Sequence, residues 1–556
     1  MDRLIFVFCI YMKNHFFAVL LFGLLWSCSS NPNSPKDEPF SSSSFDISSS
    51  ALAISSSSLT VSSSSVLISS SSVRSSSSAA ISSSSVRSSS SAAVSSSSVR
   101  PSSSSYSSSN TMPHYVLPSA PNYGSNVSVH DPSIFKDDDG KYYTFGSHFD
   151  VATSTDLMRW TQAWSGGNDA KAARLYGSNP TWQTTLATAF QHVGVDGDNR
   201  PPASTWAPDV IKLNGKYYMY YSLSTFGSSK SYIGRVEASS VTGPYSNSVE
   251  VVKTPGSGGT PNAIDPAIFY DKEGKLWMVY GSFFGGIYIF EMETSGTRIG
   301  LPKSGQGTYG KRVWNGSNGP EGPYIFYNPT TDYYYLMVSH GSLSTDYNMR
   351  VARSKNPDGP YLDIRNRDAT TTNASGNKLA GNYKFAGASR GYAALGHNSV
   401  LKENGKYFVI YHTRYLSGTS DVSGNHNQFV NQLFFNKDGW PVMAPNRYAG
   451  ESTGRVDAGD VLGEYDVVVH TPVGNSVTFI NSSVYSFADN GNLMKDGAVS
   501  GSWSRTGDYY FSVTINNAVY NGVMVPQYNN DLGYAELSFT GVSSEGTSVW
   551  ANKKKK

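Results

Sequence analysis

Cysteine is nearly absent from this 556-residue sequence: there are two, Cys9 and Cys28, both near the N-terminus. No disulfide framework or thiolate metal cluster can therefore hold the remainder, which must be large enough to stand on packing alone. Charge is scarce as well. Charged residues make up 15% of the chain and the formal net charge is +2, against a usual charged share of about 25%. No cluster of Lys and Arg offers the electrostatic footprint that nucleic acid requires, and the terminal "KKKK" reads as a solvated end. Long apolar runs are confined to the N-terminus, in "MDRLIFVFCIY" and in "MKNHFFAVLLFGLLWSC" from Met12, and the core of the second is too short for a stable membrane span.

That run has the form of a secretion signal, with a basic start, an apolar centre and then a cysteine. It resembles a bacterial lipoprotein signal (1–28), whose cleavage would leave Cys28 as the lipidated first residue and the protein extracellular or anchored to the outer membrane; Trp26 before the cleavage point leaves plain secretion open. Met12 is an alternative start. Residues 29–114 read as a serine-rich, disordered linker, mostly serine from Ser41 to about Asn110, with too little apolar surface to offset the entropy of ordering.

Aromatic residues are what the rest has in quantity, with 37 Tyr and 10 Trp. Tyrosine-rich strands account for most of them, although aromatic faces in a groove also suit sugar rings. Five segments share one form: "HDPSIFKDDDGKYYTFGS", "WAPDVIKLNGKYYMYYS", "IDPAIFYDKEGKLWMVYGS", "EGPYIFYNPTTDYYYLMVS" and "HNSVLKENGKYFVIYHT". Each is two apolar runs joined by a Gly- or Asp-containing turn, the signature of a β-hairpin. They recur roughly every 55 to 75 residues, enough for one four-stranded sheet each, which predicts a five-bladed β-propeller over 115–455. A β-sandwich is the competing all-β architecture, but it gives no reason for a hairpin that returns five times. The short strands of 456–556 predict a small C-terminal β-domain, barrel-like or sandwich-like, without a catalytic constellation.

Counting back three residues from the first large apolar residue of each hairpin lands on Asp131, Ala207, Asp265, Glu321 and His397. If each hairpin opens with the innermost strand of a blade, these positions ring one end of the axis. Polar strand ends capping a turn explain one such residue, but explain three carboxylates and a histidine poorly. Glycoside hydrolysis uses one carboxylic acid to protonate the leaving oxygen and one carboxylate to activate water or attack; a third acid keeps the first protonated by like-charge repulsion.

"VHDPSIF", "WAPDV", "NAIDPAIF", "YGSFFGGI", "GPEGPYI" and "GHNS", in this order, resemble the endo-arabinanases of glycoside hydrolase family 43, in particular the two-domain bacterial type. The resemblance implies an inverting enzyme that cuts internal α-1,5-L-arabinofuranosidic bonds of plant cell-wall arabinan, the side chains of pectin, as a monomer. By matching motif, Asp131 would be the general base, Glu321 the general acid, and Asp265 the residue that tunes the acid's pKa and holds the sugar. Asn262, Ala263, Ile264, Ser282, Phe283 and Phe284 would line the cleft with Gly227 nearby, although core packing is an equal explanation for the two Phe. His397 resembles an axial histidine that binds one calcium ion mostly through waters; on chemistry alone imidazole is a poor calcium ligand, which leaves a satisfied histidine or a proton partner as the alternative. His130 adjoins the base and can hydrogen-bond in the site, whereas His148, His340 and His412 have no comparable argument. The alternatives to endo action are an exo-acting arabinofuranosidase or β-xylosidase on the same fold, and a glycan-binding lipoprotein with a dead site.

Overall fold

Four of the five hairpins found by repetition open a four-stranded antiparallel sheet. A computed structural model describes residues 112–372, 376–417, 421–422, 425–472 and 479–555; Cys28, Met12 and nearly all of the serine-rich tract lie outside them. Blade 1 comprises Ser133–Lys136, Tyr142–Phe145, Val151–Ser154 and Thr161–Gln162, and blade 2 comprises Trp206–Leu213, Lys216–Leu223, Lys230–Ala238 and Ser246–Pro255. Blade 3 is Ala267–Tyr270, Leu276–Tyr280, Ile287–Met292 and Lys311–Trp314, and blade 4 is Glu321–Asn328, Tyr333–His340, Asn348–Ser354 and Asn377–Ala380. Blade 5 is built on Gly391–Glu403, Lys406–Ser417, Asn427–Phe435 and Pro441–Met443. The first-named strand of each blade touches those of both neighbouring blades, closing a ring of five about one axis. The protein is a five-bladed β-propeller.

Local chemistry explains the hairpins. Asn214-Gly215 and Asn404-Gly405 both have positive φ in two-residue connections, the type I′ turn whose twist suits paired strands. The second strands are buried along almost their whole length, as in "YYTF" and "KYYMYYSL". Their residues do not alternate between apolar and polar because each blade is covered on both faces by its neighbours. Tyrosine suits such positions when its hydroxyl finds a partner: Tyr220 donates to the Gly300 carbonyl at 2.9 Å and Tyr217 to Asp137 at 2.7 Å.

Residues from Gly463 onward form a closed eight-stranded antiparallel barrel, its first strand (Gly463–Val469) pairing with its last (Ser548–Lys553). Its interior is filled by Tyr465, Phe487, Leu493, Trp503, Phe511 and Met524. The barrel docks on blade 5 through a shared apolar cluster of Trp440, Val442, Val523 and Val525 and through a buried amide network of Asn446, Gln527 and Asn552. Among the described residues no helix is long and apolar enough to cross a membrane.

Candidate active site

A left-handed residue stands at the start of the inner strand in blades 1 to 4 and midway along it in blade 5: Asp131 (φ 56°), Ala207 (φ 33°), Asp265 (φ 58°), Gly322 (φ 55°) and His397 (φ 48°). Four are followed by proline and one by Asn398. In blades 2, 4 and 5 this residue sits in a bulge, so that Trp206 faces Ser222, Glu321 faces Ser339 and Gly396 faces His412. The structure therefore corrects the register read from sequence. Gly322-Pro323, not Glu321, is the equivalent of Asp131-Pro132; Tyr324 is not the first core residue of its strand, and the count from it fell one short. Glu321 stands one residue before the ring. Non-glycine residues held in such a conformation mark places where the surroundings impose strain, as at functional sites.

The ring is held by a second repeat. Near the end of the second strand in blades 1 to 4 stands Ser147, Ser222, Ser282 or Ser339, and midway along that of blade 5 stands His412, the final positions of "FGS", "YYS", "YGS", "MVS" and of "YH". The ring N–H of the next blade donates to it in four cases: Ala207 to Ser147 at 2.8 Å, Asp265 to Ser222 at 3.1 Å, His397 to Ser339 at 2.8 Å, and Asp131 to His412 Nδ1 at 3.2 Å. The exception is informative. Ser282 donates to Glu321 Oε2 at 3.0 Å, and the Gly322 N–H goes to Asp265 Oδ2 at 3.1 Å.

Three carboxyl groups thus meet at one end of the axis in unlike surroundings. Burial raises Asp131, but the imidazoles of His130, His397 and His412 outweigh it and hold the carboxyl well below its ordinary range. Of the three, only His397 keeps a proton near neutrality. Burial works against that proton, yet Asp131, at 3.0 Å from His397 Nδ1, pushes the imidazole up to about 9. Burial drives His130 down to about 4 and His412 well below its usual value. Glu321 is raised, first by burial and then by the charge of Asp265, with a Tyr347 hydroxyl hydrogen bond opposing. Asp265 is raised by burial and by Asp131, while His397 and the Gly322 N–H oppose. One carboxyl that favours the proton, a neighbour whose charge holds it there and a third that refuses it make the division that acid–base catalysis needs.

Other residues named from sequence are placed less uniformly. Phe283 and Phe284 lie in the loop after blade 3's second strand, at the same end as the acids, and are 41% and 48% exposed, so they are not core residues. Gly227 is in the corresponding loop of blade 2 with φ 76°. Asn262 is buried with its amide oxygen accepting from Ser231, and Ala263 and Ile264 are buried too, so Ala263 offers a ligand nothing but backbone. His412 was set aside in the sequence, and Ser147, Tyr347 and Phe226 carried no signal there. Phe226, beside Gly227, is 88% exposed.

Two places bear on a metal. Along the axis beneath the acids, a small cavity is lined by Ser133, Asp265, His397, Asn398 and Ser399, and both side-chain amide atoms of Asn398 are buried without partners. With Asp131 on His397 Nδ1, Nε2 is the nitrogen that would face a cation, which would bind in exchange for the second imidazole proton while the carboxylate orients the ring. Orphaned amide, hydroxyls and one imidazole suit a hard cation reached largely through water. The second place, His130, His412 and His426, brings one nitrogen of each within 4.8 Å of the others. There His412 Nδ1 accepts the Asp131 N–H and His426 Nε2 lies 2.6 Å from the Arg414 guanidinium, while His130 Nε2, His412 Nε2 and His426 Nδ1 are buried without hydrogen-bond partners; imidazole donors suit a hard cation such as calcium poorly.

A propeller whose axis ends in three carboxyls of opposed protonation is the framework of a carboxylate glycosidase. The model for glycosyl hydrolases family 43 matches residues 125–441, and a C-terminal lipocalin-like domain model matches 445–551. Among curated relatives, an extracellular endo-α-(1→5)-L-arabinanase of Thermotoga petrophila is 40% identical over 460 residues, covering 76% of this chain and 93% of the relative. A second, from Bacillus subtilis, is 38% identical over 477 residues, covering 80% of this chain and 96% of the relative. The crystal structure of the endo-1,5-α-L-arabinanase from T. petrophila is similar with a TM-score of 0.69 at 37% identity, covering 80% of this chain and 100% of that one. The chain belongs to glycoside hydrolase family 43 and is a glycoside hydrolase.

Proposed function

We propose that this enzyme hydrolyses internal α-1,5-L-arabinofuranosidic bonds of arabinan by a single displacement with inversion. Asp131, held ionised by His397, takes a proton from the attacking water. Glu321, held protonated by burial and by Asp265, gives its proton to the departing oxygen. Asp265 acts on Glu321 rather than on the sugar's reacting carbon. The observation that carries this reading is the meeting of three carboxyls at one end of the axis, Asp131 against His397 at 3.0 Å, Glu321 against Ser282 at 3.0 Å and Asp265 on the Gly322 N–H at 3.1 Å, an arrangement that binding alone would not need. An inverting pair stands about 6.5–9.5 Å apart to admit the water, a span that residues on different blades can provide. Both named relatives are endo-acting and extracellular, which supports internal cleavage and a site of action outside the cell. A lipid anchor at Cys28 and a monomeric state are compatible with that reading.

The cation proposed for the axial cavity is calcium, which His397 and the unpartnered Asn398 amide would hold, largely through water. When bound, it would supply positive charge beneath the acids. Asp131 keeps its bond to His397 Nδ1 in either case. The test of function is product size from debranched linear arabinan: early mixed oligomers support endo action, arabinose alone supports the exo alternative, and no products from an intact, calcium-supplied enzyme would leave a glycan-binding protein.

A further inference from the structure

The turn Ser147–Phe149 follows the second strand of blade 1, and two of its non-glycine residues are left-handed in succession, His148 (φ 63°) and Phe149 (φ 62°). It is pinned on every side. The Ser147 N–H donates to the His130 carbonyl at 2.8 Å and the His148 N–H to the Thr205 carbonyl at 3.0 Å. Gly146 approaches so closely that a Cβ there would lie 2.3 Å from the His130 oxygen. Strain retained by so many contacts points to a group that must be held in place.

That group is the Ser147 hydroxyl, which is buried. It accepts the Ala207 N–H at 2.8 Å, as its counterparts Ser222 and Ser339 accept theirs. Unlike those two, it also donates to Asp131 Oδ2, at 2.5 Å. The backbone N–H can only donate, so the hydroxyl proton goes to the carboxylate, and 2.5 Å is the length of a charge-assisted bond. On the other side, Asp131 Oδ1 lies 3.0 Å from His397 Nδ1 and 3.2 Å from His130 Nε2.

We propose that Ser147 is a positioning residue for the general base: it stops the Asp131 carboxylate from turning about its Cβ–Cγ bond and keeps one lone pair of Oδ2 in a fixed direction for water. The scaffold role common to the serine ring is to accept an N–H from the next blade. In Ser147 the spare proton of that scaffold serves the chemistry, as the proton of Ser282 does for Glu321. The inference rests on Asp131 acting as the base.

Three replacements of Ser147, assayed on linear arabinan, test it. Ser147→Ala is expected to lower kcat roughly 10- to 100-fold with KM within about twofold, since a misaligned base loses transition-state rather than ground-state interaction. Ser147→Thr restores a strong donor and is expected to bring kcat back to within about fivefold of the parent. Ser147→Cys, close in size but a weak donor, is expected to fall between Thr and Ala, and it decides the matter if the extra methyl of Thr lowers the melting temperature. A kcat for Ser147→Ala within twofold of the parent, a loss confined to KM, or a Cys variant equal to the parent would overturn the proposal. Failure of the underlying reading shows elsewhere, as turnover that survives Asp131→Ala.

Discussion

Replacing Asp265 by asparagine removes one negative charge from beside Glu321 and changes little else. The amide oxygen can still accept the Gly322 N–H, and the backbone bond to Ser222 does not depend on the side chain's charge. Glu321 is raised by burial first and by Asp265 second, so the variant retains the larger cause and loses the next. Two like charges about 5 Å apart repel by about 3 kcal/mol at an effective dielectric near 20, and one pH unit corresponds to about 1.4 kcal/mol. The pKa of Glu321 is therefore expected to fall by at most about two units while staying above that of an exposed glutamate. The sign follows from its role. The acid acts protonated, so the rate declines as pH rises through its pKa, and a lower pKa moves that alkaline limb to lower pH. The assay is kcat/KM for reducing-sugar release from linear arabinan across the pH range, which reports the free enzyme. An alkaline limb that stays in place or moves upward in Asp265→Asn would refute the assignment of Asp265 as the residue that keeps Glu321 protonated.

Glu321→Gln removes the transferable proton at nearly constant shape and is expected to lower kcat by about 10²–10⁴-fold, with an unchanged circular dichroism spectrum excluding misfolding as the cause. Chelation is expected to reduce activity and added calcium to restore it; indifference to both would leave His397 as the proton partner of Asp131 alone. Phe226→Ala, at an exposed aromatic in a loop on the catalytic end, is expected to raise KM for arabinan several-fold with kcat nearly constant, consistent with about 1 kcal/mol for a lost aromatic contact. Gly322→Ala is expected to damage both stability and activity, because a Cβ there would be strained at φ 55° and would lie 3.0 Å from the His397 ring; thermal melting and turnover measure the two effects.

The blades were legible because a hairpin carries its own signals, an Asn-Gly or Asp-containing turn between two apolar runs, and because burial on both faces makes second strands such as "YYMYY" continuous rather than alternating. The ring positions of Asp131 and Asp265 were legible, because an Asp-Pro pair opens the strand. At Glu321 the same count slipped by one, since the repeat is defined by a left-handed residue before proline, and in blade 4 that residue is glycine, with no side chain to mark it. The closed barrel could not be told from a sandwich because closure depends on Gly463–Val469 pairing with Ser548–Lys553, a contact between the two ends of the domain that local pattern does not encode. Ser147, Tyr347 and His412 were missed for a related reason. Serines ending a strand are common turn residues, and only the convergence of blades shows that one hydroxyl lies on Asp131 and another holds a backbone N–H of the next blade.

In the proposed reaction Asp131 and Glu321 act together in one displacement, with water entering opposite the leaving sugar. Proton NMR of the first products formed from an α-1,5-linked arabino-oligosaccharide, recorded before mutarotation, tests this most directly. The account requires the β-anomer at the newly formed reducing end; initial appearance of the α-anomer would show retention and contradict it.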